Sequence, residues 1–245
     1  MMADVDRLYS DADLAALYDP LDPDRRDLDV YVDLVKEFDA CSVLDIGCGT
    51  GTFACLLASQ GHNVIALDPA NASLDVARRK SDADKVRWIE GDSTALPPLQ
   101  VDLVTMTGNV GQVFLTDEEF MSVLRSSRVA LRPGGRLVFE VRDPAKKAWL
   151  DWTREKSYKR VDLPEVGFLE TWVEMTAVRE PFVSFLSTFA FGSGRVITSE
   201  STLRFRTEDE VRNLLQAADL FVEEVRGASD RPGRELIFIS KKEGQ

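Results

Sequence analysis

Val43-Leu44-Asp45-Ile46-Gly47-Cys48-Gly49-Thr50-Gly51-Thr52 is the most informative stretch of this 245-residue chain. A short apolar run, Ser42–Ile46, has strand composition and carries one acid near its end. Three glycines then follow at alternate positions. The run Thr52–Ser59 has the composition of a helix. Glycine lets the backbone adopt positive φ and approach a ligand closely. A helix that starts there offers N–H groups with no partner in its own first turn. In an open α/β sheet, ligands bind outside the carboxyl ends of the strands. The competing reading is a tight turn whose glycines serve packing alone.

The pattern continues on both sides of this turn. Upstream, Ser10 to Tyr18 is a helix candidate opened by a capping residue, and Pro20 and Pro23 then interrupt the chain. From Arg26 to Phe38 the apolar residues Leu28, Tyr31, Val32, Leu34, Val35 and Phe38 recur with helical period. Downstream, His62–Leu67, Lys85–Glu90, Val101–Met106 and Arg136–Val141 are strand candidates. Helices Ala72–Lys80 and Asp117–Leu131 alternate with them, the second opened by the capping box Thr116/Glu119, and Pro133-Gly134-Gly135 forms a turn. Such alternation predicts a parallel sheet covered on both faces. From about Gly167 the period becomes two. Leu169 to Ala177, Val183 to Phe191 and Ile197 to Phe205 read as an antiparallel meander with a hairpin turn at Gly192-Ser193-Gly194. Thr207 with Glu210 is a second capping box. Phe221–Arg226 and Glu235–Lys241 are the last strands, joined by the loop Gly227–Arg234.

The ligand of the turn can be argued from charge. A nicotinamide fingerprint wants glycine where Thr52 stands, and Asp45 would oppose a pyrophosphate. A ligand with a cationic group and no phosphate suits a carboxylate there. The segment resembles the D-x-G-x-G-x-G motif of class I S-adenosylmethionine-dependent methyltransferases. The likeness is close from Val30 to Val141 and architectural from Thr207 to Lys241. It implies an α/β, Rossmann-like, doubly wound seven-stranded sheet with a small antiparallel β insert. It implies S-adenosyl-L-methionine as cofactor, held by Asp45, Gly47, Cys48, Gly49 and Gly51. Asp68 would accept the ribose hydroxyls, and Pro69 would form part of an apolar wall for the adenine. Asp92 would take the adenine amino protons, with the Ser93 N–H at a ring nitrogen; the competing reading of this pair is a helix cap. Backbone carbonyls of Thr107, Gly108 and Asn109 would hold the methionine ammonium. Tyr18-Asp19 matches a Tyr-Asp pair in the leading segment of small-molecule methyltransferases of sugars and glycine, where it lids the cofactor. Tyr18, with Glu140 and Arg142 at the end of the fifth strand, is therefore a candidate for the chemistry.

These expectations divide the chain into a helical lid (1–40), a cofactor-binding body (41–143 and 207–245) and an insert (144–206) over the acceptor site. The net charge of −12 disfavours nucleic acid. No apolar run is long enough to span a bilayer, and the acidic start Met1–Asp6 does not look like a secretory signal, so a cytoplasmic protein is expected. Cys41, Cys48 and Cys55 fit neither a disulfide framework nor a metal site, and His62 is the only imidazole. The basic run Arg142 to Arg160 reads as a solvated helix face or as a surface for an anionic substrate. A small-molecule acceptor methylated on nitrogen or oxygen is expected. The alternatives are a silent S-adenosylmethionine-binding protein and a nicotinamide oxidoreductase. The two-faced meander is expected to lid the site and to help form a homodimer.

Overall fold

The computed structural model describes residues 5–228 and 233–244. Met1–Asp4 and the middle of the expected Gly227–Arg234 loop lie outside the described residues. The leading segment forms α1 (Arg7–Ser10), α2 (Ala12–Leu21) and, after a 3-10 turn at Arg26–Leu28, α3 (Asp29–Glu37). Asp11 rather than Ser10 caps α2, accepting from the N–H groups of Asp13 and Leu14. Pro20 does not break this helix. It sits in the last turn, and α2 runs one residue beyond it.

The alternating region forms β1 (Ser42–Ile46), α4 (Thr52–Ser59), β2 (Asn63–Asp68), α5 (Asn71–Ala77), β3 (Val86–Glu90), β4 (Val101–Met106), α6 (Asp117–Ala130) and β5 (Leu131–Arg142). Helix α5 stops short of Lys80 because Arg79 and Lys80 bond back to Val76 and Ala77, tightening the end into a 3-10 turn. The Pro133-Gly134-Gly135 turn is a bulge inside β5. Leu131 pairs with Val101 and Arg136 resumes against Leu103, while the Gly134 N–H bonds the Lys242 carbonyl.

The insert follows β5. It runs through 3-10 turns, α7 (Arg154–Ser157), β6 (Lys159–Leu163), β7 (Gly167–Arg179), β8 (Phe182–Phe191) and β9 (Val196–Arg204). After it come α8 (Glu208–Ala217), β10 (Phe221–Gly227) and β11 (Glu235–Lys241).

The seven strands of the body are ordered β10-β11-β5-β4-β1-β2-β3. Strand β11 is antiparallel to both β5 and β10, and the other contacts are parallel. Strand order reverses between β1 and β4, which opens a crevice at their carboxyl ends. One face of the sheet buries Tyr31, Leu34 and Val35 of α3 with Phe53 and Leu57 of α4. The other buries Phe120 and Leu124 of α6 with Val211 and Leu215 of α8.

The insert forms a separate four-stranded antiparallel sheet, β6-β7-β8-β9. Strand β6 goes beyond the expected meander; it occupies part of the basic run, which is therefore not one helix face. The basic residues there are partnered: Arg154 lies 4.1 Å over Trp172, Arg160 lies 4.9 Å over Phe168, and Lys156 pairs with Asp151 at 2.6 Å. Alternation aims Leu169, Phe189 and Ile197 inward, where they close a small core with Leu14 and Leu17 of α2. The outward face leaves Phe168 and Val196 more than half exposed.

Candidate active site

The turn Gly47–Gly51 links β1 to α4 at the crevice. All three glycines have positive φ, +71°, +53° and +73° in order. They differ in what surrounds them. A Cβ on Gly47 would lie 2.6 Å from Val110, and one on Gly51 would lie 2.5 Å from Trp88. Both positions are filled by packing. A Cβ on Gly49 would meet nothing within 4 Å. The middle glycine therefore faces the open side of the turn, where a ligand can approach.

Asp68 ends β2 beside this opening and is 7% exposed. Its Oδ2 accepts from Gly49 N and its Oδ1 from Ala70 N, each at 2.8 Å. Two backbone amides thus fix the carboxylate plane, while each oxygen keeps a lone pair for another donor. Burial raises its pKa and these two bonds oppose the rise. Asp45 is deeper, 1% exposed. Its Oδ1 accepts from Thr105 Oγ1 at 3.0 Å, and its Oδ2 has no hydrogen-bond partner among the described residues. Burial pushes its pKa up to about 7; the Thr105 hydroxyl restrains the shift and the Asp68 charge adds to it. The Cys48 thiol is held well above its usual range by burial and by these two acids, so it is no ready nucleophile.

The end of β3 continues the rim. Asp92 Oδ1 accepts from Thr94 N at 2.8 Å and caps the 3-10 turn Ser93–Ala95, with Ser93 buried. The Thr94 hydroxyl, which also donates to Oδ1, and then this N–H lower the Asp92 pKa. At the end of β4, Gly108 and Asn109 have left-handed backbones, φ +69° and +63°. A Cβ on Gly108 would also meet open space. Asn109 is 3% exposed, and its Oδ1 has no partner among the described residues. Thr107 stands between β4 and this bend, half-buried.

Glu140, expected to face an acceptor, is 1% exposed, and its Oε1 accepts from Asn109 N at 3.1 Å. Arg142 donates to Gln112 Oε1 at 3.0 Å from Nη1, and its guanidinium lies 5.7 Å from the Trp152 ring. Tyr18 is half-buried with its ring centroid 6.0 Å from that of Tyr9, and burial raises its pKa. Pro69 is half-buried, next to fully packed Ala70.

Several residues that hold these parts together carry no signal in the sequence. Asp19, legible there only as the neighbour of Tyr18, accepts from Thr50 Oγ1 at 2.8 Å and Thr52 Oγ1 at 3.1 Å, and pairs with Lys80 Nζ at 2.6 Å. It fastens α2 to the glycine turn. Ser73 Oγ donates to the Tyr9 carbonyl at 2.9 Å, and Leu8 N donates to Ser199 Oγ at 2.8 Å. The leading helices are therefore tied to the seven-stranded body and to the insert sheet. His62 Nδ1 bonds the Ala40 carbonyl at 2.9 Å, at the amino end of β2 and away from the crevice.

A family profile described as a methyltransferase domain matches residues 43–135, from β1 into the β5 bulge. An uncharacterized methyltransferase of Mycobacterium bovis is 32% identical over 187 residues, 71% of this chain and 72% of its own. The chain belongs to the class I S-adenosylmethionine-dependent methyltransferases. The cypemycin N-terminal methyltransferase of a Streptomyces species is 35% identical over 117 residues, 47% of this chain and 48% of its own. The chain thus spans about half the length of the first curated relative it matches. The sugar N-methyltransferase KedS8 of Streptoalloteichus shares the fold with a TM-score of 0.75 at 19% identity, covering 99% of this chain and 97% of that one.

The residues around this crevice fit S-adenosylmethionine as cofactor. Gly49 and Gly108 leave room on both sides of the β1/β4 crevice. Asp68 has acceptor capacity for hydroxyls, and Asp45 Oδ2 and Asn109 Oδ1 are buried acceptors without donors among the described residues. Among the described residues no cluster of His, Cys, Asp or Glu could hold a metal ion, and no helix is long and apolar enough to cross a membrane.

The glycine environments set up a paired expectation. Gly51→Ala should destabilise the fold by about 2–4 kcal/mol, from overpacking against Trp88 plus a left-handed alanine. Gly49→Ala should cost about 1 kcal/mol, from the backbone term alone, yet lose most affinity for S-adenosylhomocysteine. Denaturant melts and calorimetry on the two variants check this. Full affinity in a folded Gly49→Ala protein would show that the ligand does not approach this face. At φ +53° a β-branched side chain is strained whatever the space, so alanine is a cleaner probe there than valine.

Proposed function

We propose that this chain transfers the methyl group of S-adenosylmethionine to a nitrogen or oxygen atom of a small molecule by in-line displacement. The observation that carries the reading is the roof over the cofactor turn. Helix α2 is fastened to the turn through Asp19 and to the inner face of the insert sheet through Leu14 and Leu17. A crevice covered in this way suits a small acceptor better than a polymer.

The bound cofactor supplies a methyl group already activated on a sulfonium, so the protein's work is alignment and the exclusion of water. In this reading Asp68 holds the ribose hydroxyls, Asp92 and Ser93 border the adenine, and Asp45 with the Thr107–Asn109 bend faces the cationic end. The lid contributes Tyr18 and Tyr9. Burial raises the Tyr9 phenol as well, so it stays a neutral donor. Asp6, bonded to Ser201, brings a carboxylate from the lid to the insert, and desolvation raises its pKa. Trp152 stacks edge-on against Phe185 at 4.8 Å, giving an aromatic wall at the insert's base. Supported in this way, the site has no histidine base to offer, and an amine that reaches it neutral needs none. The names of the cypemycin and KedS8 enzymes favour nitrogen as the atom methylated.

The test is a methyl-transfer assay that reads S-adenosylhomocysteine release across panels of small amines, amino sugars and phenols. Turnover of at least one amine, rising with pH as the amine loses its proton, is the expected result. Turnover confined to a macromolecular acceptor would replace this reading.

A further inference from the structure

The bend after β4 is held by two acids from strands distant in sequence. Glu140 lies on β5 and Glu235 opens β11, and the antiparallel register sets Glu235 opposite Arg142 and Ile237 opposite Glu140. Glu140 and Glu235 are 1% and 2% exposed. Both converge on one residue. Glu140 Oε1 accepts from the Asn109 backbone N–H, and Glu235 Oε1 accepts from Asn109 Nδ2, each at 3.1 Å. Asn109 holds the left-handed conformation, which side chains enter at a cost even when asparagine tolerates it best. Two charge-assisted bonds on a single buried residue offset that cost. Because Nδ2 is committed to Glu235, the orientation of the carboxamide is set, and Oδ1 is the end left as an acceptor.

The same group of residues reaches the insert. The Asn109 carbonyl accepts from Gln112 N at 3.0 Å. Gln112 Oε1 accepts from Arg142, whose Nε lies 3.8 Å from Glu235 Oε1. Gln112 Nε2 donates to the Arg204 carbonyl at the end of β9. The bend that borders the crevice is thus braced from β5, from β11 and from the strand that returns out of the insert.

We propose that Glu140 and Glu235 are positioning residues: together they lock Asn109, and so aim the Thr107–Asn109 backbone at the amino-acid end of bound S-adenosylmethionine. This rests on the placement of the cofactor given above, with its nucleoside end at Asp68 and its cationic end between Asp45 and the bend. Both acids act through Asn109, to which each is bonded. Their effect is on the part of the cofactor that carries the ammonium group, and the nucleoside part is held elsewhere, by Asp68 and the rim of β3.

Two ligands separate this role from general loosening of the site. S-adenosylhomocysteine carries the amino-acid portion, and 5′-methylthioadenosine keeps the nucleoside and sulfur but lacks it. Calorimetry with both is run on the full chain and on Glu235→Ala, Glu140→Ala and their glutamine counterparts. The alanine variants should bind S-adenosylhomocysteine about tenfold to a hundredfold more weakly and 5′-methylthioadenosine as the parent does. Glutamine, which keeps an acceptor oxygen, should restore most of the loss. Equal weakening of both ligands, or no weakening of either, would overturn the proposal while leaving the cofactor site standing. Failure of the parent chain to bind either ligand would overturn the site itself. Should an alanine variant not fold, the glutamine variants and Asn109→Asp are read with the same two ligands. Asn109→Asp sets a third carboxylate against the two acids and should lose S-adenosylhomocysteine selectively; equal loss of both ligands there also counts against the lock.

Discussion

Asp68→Ala should bind S-adenosylhomocysteine about a hundredfold more weakly than the parent chain. The carboxylate does two jobs. In the proposed placement it offers an acceptor to each of a pair of ribose hydroxyls, and its oxygens already hold the Gly49 and Ala70 N–H groups at 2.8 Å. Losing the charge-assisted pair is worth roughly 1.5–3 kcal/mol in all, so the ligand contacts alone account for about tenfold to a hundredfold. Losing the brace on Gly49 adds to this, because the turn then no longer holds its shape around the opening. Asp68→Asn keeps one acceptor oxygen and should fall between the two. Calorimetric titration, with a melting curve to show that each variant is folded, provides the check. A dissociation constant unchanged in folded Asp68→Ala would remove this acid from the site.

The second large effect is a pH dependence. The pKa of Asp45 is pushed up to about 7, chiefly by burial. Pairing with a ligand ammonium requires its ionised form. Affinity for S-adenosylhomocysteine should therefore fall about tenfold for each pH unit below about 7. Asp45→Asn should weaken binding at pH 8 and flatten that slope, leaving only what Asp68 contributes. An unaltered slope in Asp45→Asn would show that another group titrates. The sign for folding is the reverse. The folded-state pKa lies above the unfolded value near 4, so the folded chain binds the proton more tightly. Destabilisation by this acid is absent below about pH 4, grows as pH rises toward 7, and is complete above it. The gap between those two values sets an upper bound of about 4 kcal/mol. Asp45→Asn should accordingly melt higher than the parent at pH 8 even as it binds worse.

Much of this site is legible in the sequence because it is local. Strand, glycine turn and helix N-terminus are consecutive residues, and period-two and period-3.6 patterns mark what flanks them. Boundaries shifted where bonds invisible to the pattern competed: Asp11 takes the cap from Ser10, and the Pro133-Gly134-Gly135 turn is absorbed into β5 as a bulge by pairing with distant strands. The separate roles of the three glycines are not legible. They depend on Val110 and Trp88, which the fold brings to Gly47 and Gly51 from a 3-10 turn after β4 and from the middle of β3. Asp19 and Lys80 meet across the lid for the same reason. Glu140 reads as a charge at a strand end, and such charges are ordinarily solvated. Only the antiparallel return of β11, far along the chain, places Glu235 beside it over Asn109. The basic run misleads because its cations spread over turns, α7 and β6, Arg154 and Arg160 lying over rings of β7 and Lys156 beside Asp151 of a 3-10 turn.

The two sheets share no ladder: seven strands form one hydrogen-bonded set and four form another. Register in the first cannot slip because of a substitution in the second. The ladder that shapes the cofactor turn is thereby separate from the insert's ladder, and the two meet through side chains, as where Gln112 bonds the Arg204 carbonyl. An insert strand can therefore change register while the seven-stranded ladder keeps its own, so long as those side-chain ties persist.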